Sequence, residues 1–473
     1  MGRRIAIVDL AEEQLSWIDI QPVSIWEAAG FADGRIIAVL SDDHTESGWY
    51  GARLSIIDEG REIPLHTSNW QIAGPVVSPS GRRVAFVEGW ASDRGHLAGD
   101  LAIADVESHE ITLHTGDTLG LDVVSAQWLD DDHLWVTGWR GFSAAWATID
   151  ASNFLRIEGG VVPRALSISR SSTMDSRTAL VTASDDGRQA VEVLDQDRLT
   201  DRIHDSVPES SLEARQSVVH WLARDGVRIE GILVHGRATP PERQRLIIMV
   251  HGGPANLWTD TLSPGARALV LGGYSVLLPN PRGSVGRGQA FATANLGDPG
   301  GAELGDLLAG AEACRIKGLV MDASPGIVGG SYGGYLAACA AVFSTEVAAA
   351  VAMFGHPDLL SARLASNNGA FYDRLLGIVD DSPGWQLAFE RSPAFHVRES
   401  AAPTLLLHGD RDACTPLGQS EELFGALLAA GVESQLVVYP GAGHGLRGER
   451  TQKDVWERTI DWFDRHLEEA AAC

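Results

Sequence analysis

Cysteine is scarce in this 473-residue chain: Cys314, Cys339, Cys414 and Cys473 are scattered, and no two stand in a C-x-x-C spacing. That excludes a disulfide-stapled scaffold and a cysteine-based zinc module, and it fits buried free thiols in a reducing compartment. Long apolar runs are missing as well. Nothing approaches the ~18 apolar residues of a membrane span. The opening Met1-Gly2-Arg3-Arg4-Ile5 lacks the apolar stretch and cleavage site of a signal peptide, so a cytoplasmic protein off the membrane is expected. Positive charge is short too, with 37 Lys and Arg against 63 Asp and Glu and a formal net charge of -26. That balance argues against nucleic acid or an anionic membrane as partner.

Metal and nucleotide signatures are also lacking. There is no H-E-x-x-H or EF-hand pattern, and His133 beside Asp130, Asp131 and Asp132 reads as a solvated turn. The glycine-rich Asn280 to Gly288 stretch is followed by no Lys-Ser or Lys-Thr, so it is not a phosphate-binding loop. No metal or cofactor is expected. What is present, 44% hydrophobic and 21% charged residues, belongs to an ordinary globular protein long enough for two or three domains.

The chain divides by periodicity. Turns at Asp33-Gly34, Ser80-Gly81, Asp131-Asp132 and Asp175-Ser176 recur roughly 44 to 51 residues apart. A short apolar run follows each: Ile36 to Val39, Val84 to Val87, Leu134 to Thr137 and Ala179 to Thr182. Strands at that period predict propeller blades, about four to five units within residues 1–210, with Ile5 to Asp9 ending a partial one. Ten of the fourteen tryptophans lie in residues 1–221, as blade cores would use them. Trp90, Trp139 and Arg140 follow comparable strands and are candidate substrate-binding groups facing an inter-domain cavity, with blade-edge packing as the plainer alternative.

Residues 211–473 read differently. A hairpin around Asp225-Gly226 precedes strands at Leu246 to Val250, Val276 to Leu278, Ile327-Val328, Thr404 to Leu407 and Leu436 to Val438. Helices are predicted over Asp306 to Arg315, Tyr332 to Phe343, Gln419 to Leu428 and Asp454 to Glu469. Such alternation requires a mostly parallel sheet covered on both faces, an α/β domain.

Within it, Gly329-Gly330-Ser331-Tyr332-Gly333-Gly334 sets a serine in a glycine-lined turn between strand and helix, the context of a nucleophile elbow. A serine needs a positioned base, and the base needs an orienting acid. The loop after Thr404 to Leu407 carries Asp410 and, deeper, Asp412, and Gly443-His444-Gly445 follows the next strand. Serine, acid, histidine is the order this architecture uses, at strand ends where such sheets place their sites. Ser331 is the candidate nucleophile, His444 the base and Asp412 the acid, with Asp410 its rival. His251, His356 and His408 read as structural or pocket residues. An oxyanion would find donors in the glycine loop after Leu246 to Val250 and in the N–H of Tyr332.

The stretches His251-Gly252-Gly253-Pro254, Asn280-Pro281-Arg282-Gly283-Ser284, Gly329 to Tyr335, Ser392-Pro393, Leu407 to Asp412 and Gly443-His444-Gly445 together resemble the prolyl oligopeptidase family of serine peptidases, in its acylaminoacyl-peptidase and dipeptidyl-peptidase-like branch. The resemblance implies a β-propeller before an α/β-hydrolase domain, the triad Ser331, Asp412 and His444, and an oxyanion hole from the backbones of Gly253 and Tyr332. Family propellers need over 300 residues, and about 210 precede the hydrolase domain here. A shortened propeller, closure by other means or a late start of the chain would each account for that. The glutamate pair with which dipeptidyl peptidases hold an amine has one adjacent counterpart in the repeat region, Glu12-Glu13, which sits after a strand end.

The expected activity is amide hydrolysis of short peptides or acyl-amino-acid derivatives through an acyl-enzyme, in a protein for which a homo-oligomer is compatible. An esterase or specialised small-molecule amide hydrolase is the related alternative, and a catalytically inert binding protein the minor one.

Overall fold

The computed structural model describes residues 3–9, 13–18, 20, 23–95, 97–152, 155–162, 165–170, 177–183, 189–195, 198–205, 214–236, 240–378 and 384–470. The turn at Asp175-Ser176, Glu12, Cys473 and the 210/211 boundary lie outside them. By internal contacts the chain forms two compact units, residues 1–180 with 193–199 and 285–292, and residues 181–192 with 200–284 and 293–473.

The first unit is all-β. Each of the four apolar runs read from the repeat is the second strand of a four-stranded sheet: Ile36–Ser41, Arg83–Gly89, His133–Arg140 and Thr178–Ala183. In the first three of these the apolar run is buried throughout, covered on both faces, which is why it reads as continuous; Ile37, Ala38, Val39 and Leu40 are fully buried. Ala6–Asp9 and Gln14–Trp17 form a further two-stranded antiparallel sheet. Successive sheets are tied by polar contacts. Gly74 N–H donates to Glu27 at 2.6 Å, Trp128 Nε1 to the Val76 carbonyl at 3.1 Å, and Ser80 N–H to Asp131 at 2.8 Å.

The segment 285–292, well inside the half read as α/β, belongs to this all-β unit. Buried Asp122 accepts the N–H groups of Gly286 at 2.5 Å and Gly288 at 2.9 Å. Burial pushes the Asp122 carboxyl up to about 6 despite these bonds.

The second unit is built on an eight-stranded sheet: β1 (Ala214–Leu222), β2 (Arg228–Gly236), β3 (Leu246–Val250), β4 (Ser275–Asn280), β5 (Gly326–Gly330), β6 (Ala349–Met353), β7 (Thr404–Gly409) and β8 (Ser434–Tyr439). Its spatial order is β1-β2-β4-β3-β5-β6-β7-β8. β1 and β2 form the expected antiparallel hairpin, β2 pairs antiparallel with β4, and every later pairing is parallel. The first helices of the domain are α1 (Pro264–Leu271), α2 (Ala302–Ile316) and α3 (Tyr332–Phe343), followed later by α4 (Gly418–Ala429) and α5 (Glu449–Ala470). α1 is capped by Ser263, whose side chain accepts from Ala266 N–H, with proline in its first turn. α1 and α5 pack together: a Cβ on Gly265 would lie 2.3 Å from the Trp456 ring, so only glycine lets them approach.

Two features depart from expectation. β6 carries no strand signal of its own, because alanine-rich Ala349-Ala350-Val351-Ala352-Met353 has little β-propensity and is specified by burial between β5 and β7. Three short helices, Leu359–Ala365, Gly369–Leu376 and Gly384–Glu390, occupy the connection between β6 and β7. The architecture is an all-β, propeller-like domain followed by an α/β-hydrolase domain.

Candidate active site

The site begins at the carboxyl end of β5. Ser331 adopts φ 57° and ψ -121°, a backbone region costly to a side-chain-bearing residue. The neighbours tolerate it by being small. A Cβ on Gly329 would lie 2.4 Å from the Gly333 carbonyl oxygen, and one on Gly333 would lie 2.4 Å from that of Val250. The elbow is pinned by Ser331 N–H donating to Met353 O at 3.0 Å, and α3 starts at once.

The loops after β7 and β8 converge on it. His444 Nε2 lies 3.0 Å from Ser331 Oγ, and His444 Nδ1 lies 2.7 Å from Asp412 Oδ2. Asp412 Oδ1 accepts the N–H groups of Cys414 and Thr415, each at 2.9 Å. Burial alone would raise this carboxyl. The surrounding imidazoles of His408 and His444 and the Thr415 N–H outweigh it and hold the group well below the usual carboxylate range. Of the two rings, His444 makes the hydrogen bond. His408 stands 3.6 Å away and is engaged by Ser420 Oγ at 2.7 Å and Thr415 O at 2.6 Å. Asp410 is exposed and accepts Gly441 N–H at 2.6 Å, so it joins the two loops without reaching the imidazole.

Two supports were not read from the sequence. The Thr415 hydroxyl lies 3.0 Å from Asp412 Oδ2, 3.2 Å from His444 Nδ1 and 2.8 Å from the Phe354 carbonyl oxygen. The Asp-x-x-Thr spacing, which favours a local side-chain turn, is the one signal that would have found it. Phe354 sets its ring edge-to-face on His444 at 5.0 Å and has φ 38°, which no sequence pattern announces.

The loop after β3 lies against the elbow: a Cβ on Gly252 would be 3.4 Å from Ser331 Cβ. Gly253 has φ 116°, open to glycine. Tyr332 N–H, in the first turn of α3, has no carbonyl within the helix to bond. The Asn280 to Ser284 stretch holds this loop in place. Asn280 accepts Trp258 N–H at 2.7 Å and donates to Trp258 O at 3.0 Å, and Ser284 Oγ meets His251 Nε2 at 2.9 Å. Arg282 is clamped by fully buried Asp306 and by Asp225. Burial pushes His251 down to about 4, so it is a neutral strut.

Behind Tyr332 sits a second carboxyl. Buried Glu303 takes hydrogen bonds from Tyr332 Oη, from Gly300 N–H at 2.6 Å and from Asn295 Nδ2 at 2.8 Å, yet burial pushes it up to about 7. His356 is enclosed by the rings of Tyr332, Tyr335, Phe371 and Tyr372, stacked on Tyr335 at 5.1 Å. Burial, aided by His444, pushes His356 down to about 3.

A cavity of about 360 Å³ opens beside Ser331, bounded by the 251–258 loop, Gly445-Leu446 and α5. The candidates of the all-β unit are described within that unit. Trp90 is fully buried near Tyr50, which agrees with the packing alternative. Trp139 packs on the cluster of Trp135, Ala144 and Ala165, and Arg140 is exposed at its strand end. Among the described residues no group of three or more His, Cys, Asp or Glu is placed to hold a metal ion, and no helix is long and apolar enough to cross a membrane.

The chain is similar in sequence and fold to known proteins. The chain is 32% identical over 258 residues to an uncharacterized peptidase, YuxL, of Bacillus subtilis (strain 168), covering 53% of this chain and 39% of that protein. It is 31% identical over 215 residues to dipeptidyl peptidase family member 6 of Caenorhabditis elegans, covering 44% of this chain and 29% of the relative. The chain therefore spans less than half the length of these curated relatives. Its fold resembles the crystal structure of puromycin hydrolase with a TM-score of 0.79 at 20% identity, over 97% of this chain and 72% of the other. The model of the prolyl oligopeptidase family matches residues 263–470, which include the elbow and both converging loops. Over this segment the chain is similar to the prolyl oligopeptidase family.

Proposed function

We propose that the protein is a serine hydrolase that cleaves amide bonds of short peptides or acyl-amino-acid derivatives through an acyl-enzyme. The observation that carries this reading is the unbroken line from Ser331 Oγ through His444 to Asp412, at 3.0 and 2.7 Å. Ser331 attacks the carbonyl carbon while His444 takes its proton. Asp412 holds the imidazole tautomer and stabilises the cation. The N–H groups of Gly253 and Tyr332 receive the oxyanion. His444 returns the proton to the departing amine, and water then repeats the sequence on the acyl-enzyme.

A cytoplasmic setting is part of the proposal, supported by the buried thiols Cys314 and Cys339, which are in no disulfide. The test is labelling with a fluorophosphonate, with turnover on a panel of blocked peptide amides, acyl-amino-acid amides, short esters and puromycin. Labelling and amide turnover in the wild type, both lost in Ser331→Ala, is the expected result. A folded wild type that neither labels nor turns over any of them would sink the proposal, and turnover confined to esters would replace peptidase by esterase.

A further inference from the structure

The cavity beside Ser331 has a chemical character of its own. Trp258, Phe354, Leu446, Val455 and Trp456 supply an apolar, largely aromatic wall. The described lining residues include no Asp, Glu, Lys or Arg, and His251, the one ionisable side chain among them, is kept neutral by burial. The polar groups are engaged locally. Gln452 Nε2 donates to Leu446 O at 2.8 Å, and Trp258 Nε1 donates to Met249 O at 2.8 Å. At about 360 Å³ the space sits near the lower end of small-molecule sites and suits one ring or branched side chain.

Its position fixes which half of a substrate it meets. Gly445 and Leu446, the two residues after His444, form part of its wall, and Ser331 forms another. In acyl transfer the group beside the histidine is the departing amine, since the imidazole must reach its nitrogen. From this we infer that the cavity is the leaving-group subsite, taking an uncharged apolar or aromatic residue on the amine side of the scissile bond. This rests on the hydrolase reading above. A carboxylate or ammonium placed there would lose water without gaining a counter-charge. Acidic and basic leaving residues are therefore rejected, as is a leaving amino acid whose free carboxylate points inward.

The test uses the full chain and acetyl-alanyl-X-amides, in which every leaving group is an alkyl amine of similar basicity. The wild type is expected to favour X = Phe or Leu over Gly by about tenfold in kcat/KM, and to take Asp and Lys more slowly than Gly. Leu257→Trp fills the partly exposed rim and Trp456→Ala removes one wall, and each brings the Phe/Gly ratio down toward one. The filling variant keeps the test decisive if loss of Trp456, which also packs on Gly265, unfolds the domain. A flat profile in the wild type, or a ratio unmoved by the filling variant, overturns the subsite while Ser331 labelling stands. Absence of labelling and turnover in the wild type overturns the hydrolase reading instead, and the subsite with it.

Discussion

Two buried carboxyls flank the elbow, and they are set to opposite states. Asp412 and Glu303 are both almost inaccessible to water, and each accepts several hydrogen bonds. Asp412 has imidazoles beside it and is held ionised, whereas Glu303 has only neutral donors and is pushed up to about 7. The neutral hydrogen bonds to Glu303 do not outweigh its burial. At Asp412 the imidazoles beside it, through hydrogen bonding and charge together, outweigh burial, and Glu303 has no imidazole of this kind against it.

The largest expected effect breaks that difference outright. Asp412→Asn keeps the shape but cannot hold the imidazole tautomer, and kcat is expected to fall by about 10⁴, read on whichever amide the wild type turns over. Asn at Glu303 would not do this, nor would Gln: activity in Glu303→Gln is expected within about tenfold of wild type, because the residue acts through Tyr332 rather than on the reacting atoms.

A second effect concerns stability against pH. Glu303 is raised in the folded state from 4.5 to about 7, so its contribution is fully present below pH 4.5 and is lost as pH rises through about 7. Glu303→Gln removes this slope. The gap between wild type and variant, measured by urea unfolding at pH 5 and pH 8, should shift against the wild type by about 3 kcal/mol at most. Asp412, lowered in the folded state, has the opposite sign: its contribution is present above pH 3.8 and is lost on acidification. If both variants moved in the same direction with pH, the contrast between the two acids would be wrong.

The smallest expected effect is at Thr415. Thr415→Val removes a hydroxyl near both Asp412 and His444 while keeping the backbone N–H that bonds Asp412. A loss of about tenfold in kcat with KM little changed is expected. Equal loss in kcat and in thermal stability would mark it as a scaffold residue only.

The parts legible in the sequence were those with a local cause. The elbow announces itself because glycines must surround a strained serine, and inner strands such as Ile36–Ser41 because both faces are covered. β6 was hidden because its alanines are equally at home in a helix, so only its place between two strands decides. The departure of 285–292 to the all-β unit turns on Asp122, some 160 residues earlier in the chain, a pairing beyond any window of local pattern. Phe354 and the cavity walls share that non-local character: Trp258 and Trp456 are ordinary tryptophans until the fold brings them to one space.

Three side-chain-bearing residues around the site, Ser331, Phe354 and Leu446, hold positive φ, at 57°, 38° and 45°. Each such residue costs its scaffold on the order of 1–3 kcal/mol. Selection for heat resistance alone would therefore reach these positions early, relaxing the turns that aim Ser331 and seat His444. A thermostable variant of this protein raised without an activity screen is expected to carry its changes here and to have traded turnover for melting temperature.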